Sequence, residues 1–411
     1  MMLSVLRNRV YRHLLAAQVV ALTGTGLATV ALGLLAFDLA GDAAGLVLGT
    51  ALTIKMVAYV VVAPIAAAFA ERIDRRRMLV ALDLVRALVA VCLPFVTDIW
   101  QVYVLIFVLQ SASAGFTPAF QATIPDVLPD EQDYTKALSL SRLAYDMESL
   151  ISPMLAALLL LLVSFNSLFL GTSLGFAASA LLVISVALPS PRPTQRRGIY
   201  DRTTRGIRIY LSTPRLRGLF ALTWAAAALS ATVIVNTVVI VRADLGLSES
   251  AVAVTLAGFG GGSMLAAFAL PAVLNRYKDR SVMLSGAMFA TLTMGLSAGL
   301  FAISPLSLAG LAALWACVGF GYSATLTPSG RLLTRSALPE DRPAVFAAQF
   351  TLSHACWLVL YPLAGWIMTT RGTAEALGWM TLAAVPGLVA AVLIWPRFDR
   401  KTDATERSDM S

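Results

Sequence analysis

Apolar runs of about twenty residues recur along this 411-residue chain, and that is the length a helix needs to cross the hydrocarbon core of a bilayer. Cut at polar and Pro/Gly clusters, the runs cover residues 12–37, 44–69, 78–97, 100–124, 137–163, 166–189, 218–241, 250–274, 281–303, 306–328, 343–368 and 374–395. In hydrocarbon every backbone N–H and C=O must be satisfied within the protein, which leaves helices as the reading for uninterrupted runs of this length. Composition serves as a check. The chain is 58% hydrophobic and 13% charged, with a mean hydropathy of +0.79, whereas soluble domains carry roughly a quarter charged residues. The predicted fold class is an all-α membrane protein with twelve transmembrane helices. Disorder is excluded by the same numbers, because it needs low hydrophobicity.

A formal net charge of +8 would suggest a nucleic-acid partner in a soluble chain. Here the charge follows membrane topology, since Lys and Arg in short loops stay cytoplasmic. The N-terminus holds Arg7, Arg9 and Arg12, the loop between segments two and three holds Arg72, Arg75, Arg76 and Arg77, and the stretch from Arg192 to Arg217 holds eight arginines. With Lys136, Arg276, Lys278, Arg280, Arg331, Arg335, Arg342 and four more in the C-terminal tail, this side collects 26 of the 31 basic residues. The opposite side has Arg242 and Arg371. Both termini are therefore expected in the cytoplasm, and no nucleic acid is expected to bind. The first segment is expected to be retained, since no small-residue cleavage site follows a short apolar core. Cys92, Cys317 and Cys356 lie in apolar runs without CxxC spacing and read as small buried hydrophobes.

The chain repeats itself. Thr117-Pro118 recurs as Thr327-Pro328, and Leu128-Pro129-Asp130-Glu131 as Leu338-Pro339-Glu340-Asp341, both displaced by 210 residues; Ser152-Pro153 is matched by Tyr361-Pro362. A shift of half the chain length predicts two pseudo-symmetric six-helix halves, residues 1–189 and 218–395, joined by a basic linker at 190–217 and followed by a tail at 396–411. The linker reads as a solvated connector, with anionic lipid headgroups as the alternative use of its arginines.

Residues 67–77, Ala-Ala-Phe-Ala-Glu-Arg-Ile-Asp-Arg-Arg-Arg, resemble the signature loop G-x-x-x-D-R-x-G-R-R of the major facilitator superfamily. They depart from it at Ala67, Glu71 and Asp74. A degraded copy, Asn275 to Arg280, stands between segments eight and nine. The stretch from Phe116-Thr117-Pro118 to Ala137-Leu138 resembles the exporter branch that includes macrolide and enterobactin exporters. Leu138 to Ala157 and Thr351 to Trp357 resemble nickel-resistance members of that branch more closely. The resemblance implies two halves rocking about a central cavity lined by helices 1, 4, 7 and 10, with 2, 5, 8 and 11 between the halves, in the inner membrane of a bacterium. The signature loop then reads as a cytoplasmic clamp. Segment eleven begins at Asp341-Arg342-Pro343, with Pro343 in the first turn, and Glu71 against that positive helix end would favour the cytoplasm-closed state. Glu71, Arg72, Arg75, Asp83 and Arg86 are the gating candidates; enforcement of topology is the alternative for the arginines.

Charges at membrane depth are costly and each is a functional candidate. Lys55, Arg86 and Arg142 are balanced by Asp83, Asp146 and Glu148. Asp83 with Arg86 and Arg142 with Asp146 have the spacing that pairs side chains on one helix face. In segment five Ser139, Arg142, Asp146, Ser149 and Pro153 form one stripe, with Tyr145, Glu148 and Ser152 beside it. Asp146 or Glu148 is expected to carry a proton, with Arg142 and Lys55 lowering the cost of the unprotonated state; a fixed ion-pair network is the alternative. The cavity candidates are Gln18, Thr25, Gln110, Gln121, Tyr145, Asn236, Tyr322, Thr325, His354, Trp357 and Tyr361. His354 and Cys356 are metal ligands only if the nickel reading holds.

These features predict a secondary active transporter working as a monomer without a cofactor: proton-coupled export by antiport of a small hydrophobic or cationic compound, with nickel or a related divalent cation as the alternative. No GxxxxGK[ST] is present, so an ion gradient must supply the energy. A membrane-embedded enzyme is the competing class, and HExxH and GxSxG are absent.

Overall fold

The computed structural model describes residues 2–40, 44–70, 73–189, 199–247, 249–304 and 306–396, and among them the regular structure is helical throughout. The helices are α1 (Arg9–Ala40), α2 (Ala44–Ala70), α3 (Arg75–Cys92), α4 (Ile99–Val127), α5 (Glu131–Leu160), α6 (Phe165–Ile184), α7 (Ile199–Ser212), α8 (Pro214–Val239), α9 (Glu249–Leu274), α10 (Asp279–Ile303), α11 (Leu308–Leu326), α12 (Ser329–Ser336), α13 (Arg342–Arg371) and α14 (Thr373–Ile394). Ten helical stretches among the described residues are long and apolar enough to cross a membrane. Beyond those ten, α2 holds a shorter apolar stretch, Thr53–Ala66, and α5 carries Arg142, Asp146 and Glu148. Proline and capping residues set several ends. Asp130 opens α5 by accepting from the Asp133 N–H, and Arg342-Pro343 opens α13 as expected.

The helices pack in two groups. In the first, α1 lies on α6, α5 and α2, and α3 and α2 lie on α4; in the second, α9 lies on α11, α8 on α14 and α13, and α10 on α11 and α14. The groups meet along a seam where α13 faces α2 and α4, and α5 faces α9. Without a hydrophobic force between helices in lipid, small residues bring backbones together. The tightest case is α9 on α11: a Cβ added at Gly262 would lie 1.8 Å from the Ala316 carbonyl oxygen, and one at Gly258 would lie 2.5 Å from that of Ala312.

Two short helices depart from the sequence reading. Segment ten is helical to Leu326, and after Thr327-Pro328 the chain resumes as α12, which carries Arg331 and Arg335, expected in a loop. The stretch expected as a solvated connector contains α7, an amphipathic helix docked on the start of α13. Arg205 donates to both Asp341 oxygens at 2.6 and 2.7 Å, and Tyr210, fully buried, bonds Gln349. At Gly206 a Cβ would lie 2.0 Å from the Ala344 carbonyl oxygen. Gly206→Val is expected to undock α7, raising hydrogen exchange at its amides at least about tenfold as tertiary protection is lost; unchanged exchange would show that the close approach is not needed.

Candidate functional site

The polar stripe of α5 faces two ways. On one side Arg142 holds Asp146, with Nη2 2.8 Å from Oδ1, and reaches across the seam, its Nε donating to Ser263 Oγ of α9 at 2.9 Å. Its guanidinium stands 4.8 Å from the centre of the Tyr322 ring of α11. Asp146 is 4% exposed. A buried ion pair of this kind is weak evidence for stability, because desolvation offsets the attraction, and breaking it is costly. Here it also ties the two helix groups together through one guanidinium.

On the other side Glu148 lies against α1, where a Cβ at Gly26 would be 3.5 Å from its side chain. Among the described residues Glu148 has no ion pair within 4 Å. Lys55 has no carboxylate that close either, and its ammonium sits 5.6 Å from the Tyr59 ring. Around them Tyr59 donates to Gln110 at 2.9 Å, Ser141 donates to Gln18 at 3.0 Å, and Tyr145 stands near Gln121 and Gln18. The expected cavity residues of the first group therefore lie near one another beside Glu148, two of them, Gln110 and Gln18, hydrogen-bonded to side chains of other helices. Thr25 alone turns to its own helix, bonding the Ala21 carbonyl.

Across the seam from this cluster, α13 supplies aromatics. The His354 ring is 4.7 Å from Tyr59 of α2 and 5.5 Å from Trp357, whose Nε1 donates to Ser230 of α8 at 3.0 Å. Beside them a cavity of 350 Å³ lies between α2, α8 and α13, with Lys55, Trp357 and Tyr361 in its wall, a size suited to a small organic ligand. Cys356 is buried and bonds the Leu352 carbonyl. It faces the core of the second group, so the structure does not bring His354 and Cys356 together. Among the described residues no three His, Cys, Asp or Glu side chains gather to hold a metal. Thr325 is buried between α10 and α11, bonding the Gly321 and Met283 carbonyls. Asn236, 1% exposed, has no hydrogen-bond partner for its amide among the described residues, one turn before the wide π turn Ile240–Asp244.

The gating candidates divide. Glu71 and Arg72 lie outside the described residues. Asp83 and Arg86 pair inside the first group; Ser179 donates to Asp83 at 2.8 Å, and Arg86 stacks on Phe116 and Phe176. Arg75 joins a charge network at the basic end of the bundle that sequence reasoning missed. Asp126, at the end of α4, receives Arg75 at 2.5 Å and Arg342 from the first turn of α13. Glu131, at the start of α5, receives Arg331 at 2.8 Å and Arg335, both of α12. Those two arginines also hold Asp279, the first residue of α10, at 3.2 and 2.7 Å. One knot is an acid between bases, the other bases between acids. Both close the basic end across the seam, at the helix end where Glu71 was expected to act. The repeated Leu-Pro-acid-acid sequence, which contains Glu131, was the available signal.

A family model, the Major Facilitator Superfamily, matches residues 14–241. Macrolide efflux protein A of Enterococcus faecalis is 27% identical over 152 residues, 34% of this chain and 47% of that protein, so the match spans less than half the relative's length. Two solved structures are similar in fold. The human organic anion transporter has a TM-score of 0.79 at 13% identity, covering 94% of this chain and 99% of that one. A bacterial homologue of the iron transporter ferroportin, in an outward-facing state, has a TM-score of 0.76 at 14% identity, covering 94% and 98%.

Proposed function

The chain belongs to the Major Facilitator Superfamily, and on that footing we propose that it exports a small hydrophobic or cationic compound in exchange for protons. The protein is a transporter and not an enzyme. In this reading twelve spans, the ten apolar stretches with α2 and α5, form two halves that rock about the seam. Both termini face the cytoplasm of a bacterium, and the protein acts as a monomer. The relatives named for macrolide efflux support export of an organic compound.

The observation that carries the proposal is the contact made by Arg142, which is held to Asp146 at membrane depth and touches α9 and α11 across the seam. Rocking must break or remake that contact. A proton on Asp146 would weaken its hold on Arg142 and so couple protonation to the motion. Glu148, lacking a direct ion pair among the described residues, is the second carrier, with Lys55 as its partner cation in this reading. In this reading the basic end, bridged by Asp126 and Glu131, is the closed side, and substrate release and proton uptake take place on the other.

Asp146→Asn and Glu148→Gln in proteoliposomes test this. One of the two is expected to lower proton-driven transport of a macrolide or a lipophilic cation about 5- to 150-fold, the range of ordinary coupling free energies, while downhill exchange persists. Full proton-driven transport in both variants would remove proton coupling from these residues.

A further inference from the structure

A groove of 400 Å³ runs along the outside of the second helix group, between α9, α10 and α11, and nothing in the transport reading uses it. Its wall is almost wholly apolar: Leu270 and Val273 of α9, Val282 and Phe289 of α10, and Phe320 of α11. From Ser281 to Phe289 it descends about 12 Å along α10 at the helical rise of 1.5 Å per residue, close to the depth of one leaflet's hydrocarbon. Its volume is that of a ligand site.

The mouth of the groove is charged in one sense. Tyr277, which lines it, stands between Arg276 and Lys278 in the loop from α9 to α10, and all three are exposed. Neither cation has a hydrogen bond or ion pair among the described residues, unlike their neighbours. Arg280 donates to the Trp395 and Val392 carbonyls at 3.2 Å, and Asp279 is buried and held by Arg331 and Arg335. The nearest carboxylate in sequence is thus already neutralised, leaving two uncommitted positive charges above an apolar slot at headgroup height. The Ser281 and Ser285 hydroxyls line the same upper wall.

We propose that this groove binds one anionic glycerophospholipid, its phosphate between Arg276 and Lys278 and one acyl chain along Leu270, Phe289 and Phe320. The site lies on the helices that carry Ser263 and Tyr322, so an occupied groove also braces the part of the seam that receives Arg142. Zwitterionic lipid fits the slot equally well, and the two cations supply the selectivity.

The test uses full-length protein in nanodiscs of equal dioleoylphosphatidylglycerol and dioleoylphosphatidylcholine, released into a mass spectrometer that counts retained lipids. The wild type is expected to keep one phosphatidylglycerol in preference to phosphatidylcholine by about tenfold, two cations acting near the surface. Arg276→Gln with Lys278→Gln should bring the two lipids level. Ala269→Trp, which fills the groove and leaves the charges, should remove retention of both. Equal retention of the two lipids by the wild type would overturn the proposal, as would a preference that survives the double replacement or a second protein copy occupying the face. Because the readout is lipid mass, it is independent of whether the protein exports anything.

Discussion

Gly262→Ala is expected to destabilise the protein by about 2 kcal/mol, within the usual cost of overpacking, whereas Gly261→Ala should stabilise it by roughly 0.5–1 kcal/mol, the helix advantage of alanine over glycine. The two residues are adjacent, share a helix and receive the same methyl group. The difference lies in what the methyl meets: at Gly262 the Ala316 carbonyl oxygen at 1.8 Å, at Gly261 nothing within 4 Å. A backbone oxygen inside a helix cannot swing aside, so α9 and α11 must part. That parting has a functional side. Ser263 follows Gly262 and Tyr322 lies three residues after Gly319, where an added Cβ would lie 1.9 Å from the Phe259 carbonyl oxygen, so close backbone approach fixes the spacing between the two groups that receive Arg142. Unfolding midpoints of both variants in the same detergent supply the check. Shifts of the same sign would mean that α9 and α11 are not in backbone contact.

Replacing the two acids that cross the seam in the basic-end network, Asp126→Asn with Glu131→Gln, is expected to lower the ratio of closed to open basic end by about tenfold, roughly 1.4 kcal/mol. The amides keep the shape and remove the charge that holds Arg342, Arg331 and Arg335 across the seam. Spin labels at the exposed positions Gln132 and Leu338 would report it as growth of a longer distance. Asp126→Asn alone should do more than Glu131→Gln alone: the Asp126 side chain is 16% exposed and that of Glu131 46%, and exposed pairs contribute about 0.2–1 kcal/mol. High salt should weaken the Glu131 side first, since screening acts on exposed charges. An unchanged distance distribution in the double variant would show that packing alone closes this end.

The spans were legible because their cause is local: a run of apolar residues long enough for the bilayer has one stable form, and α9, expected at 250–274, is found at Glu249–Leu274. What depends on a neighbour was not legible. α7 was read as part of a connector because the stretch 190–217 is rich in arginine and opens on Pro191 and Pro193, and the side it docks is set by α13, α2 and α8. The Arg142–Asp146 pair followed from four-residue spacing, but no periodicity says that α9 and α11 stand opposite. Asp126 fell just past the expected end of its segment, at residue 124, and drew no attention there. Separation of His354 from Cys356 was available from spacing alone, since residues two apart on a helix do not share a face.

The sign of the basic-end charges bears on how the chain assembles. In the basic-end pairs described above, the acids that cross the seam, Asp126 and Glu131, belong to the first helix group, and the bases they hold, Arg331, Arg335 and Arg342, to the second part of the chain. Two nascent first parts meeting on neighbouring ribosomes would set carboxylate against carboxylate. The arrangement is therefore expected to disfavour pairing of two first parts relative to pairing of a first part with its own second part. Co-expressed as separate fragments, the two should find each other, and neither should pair with itself.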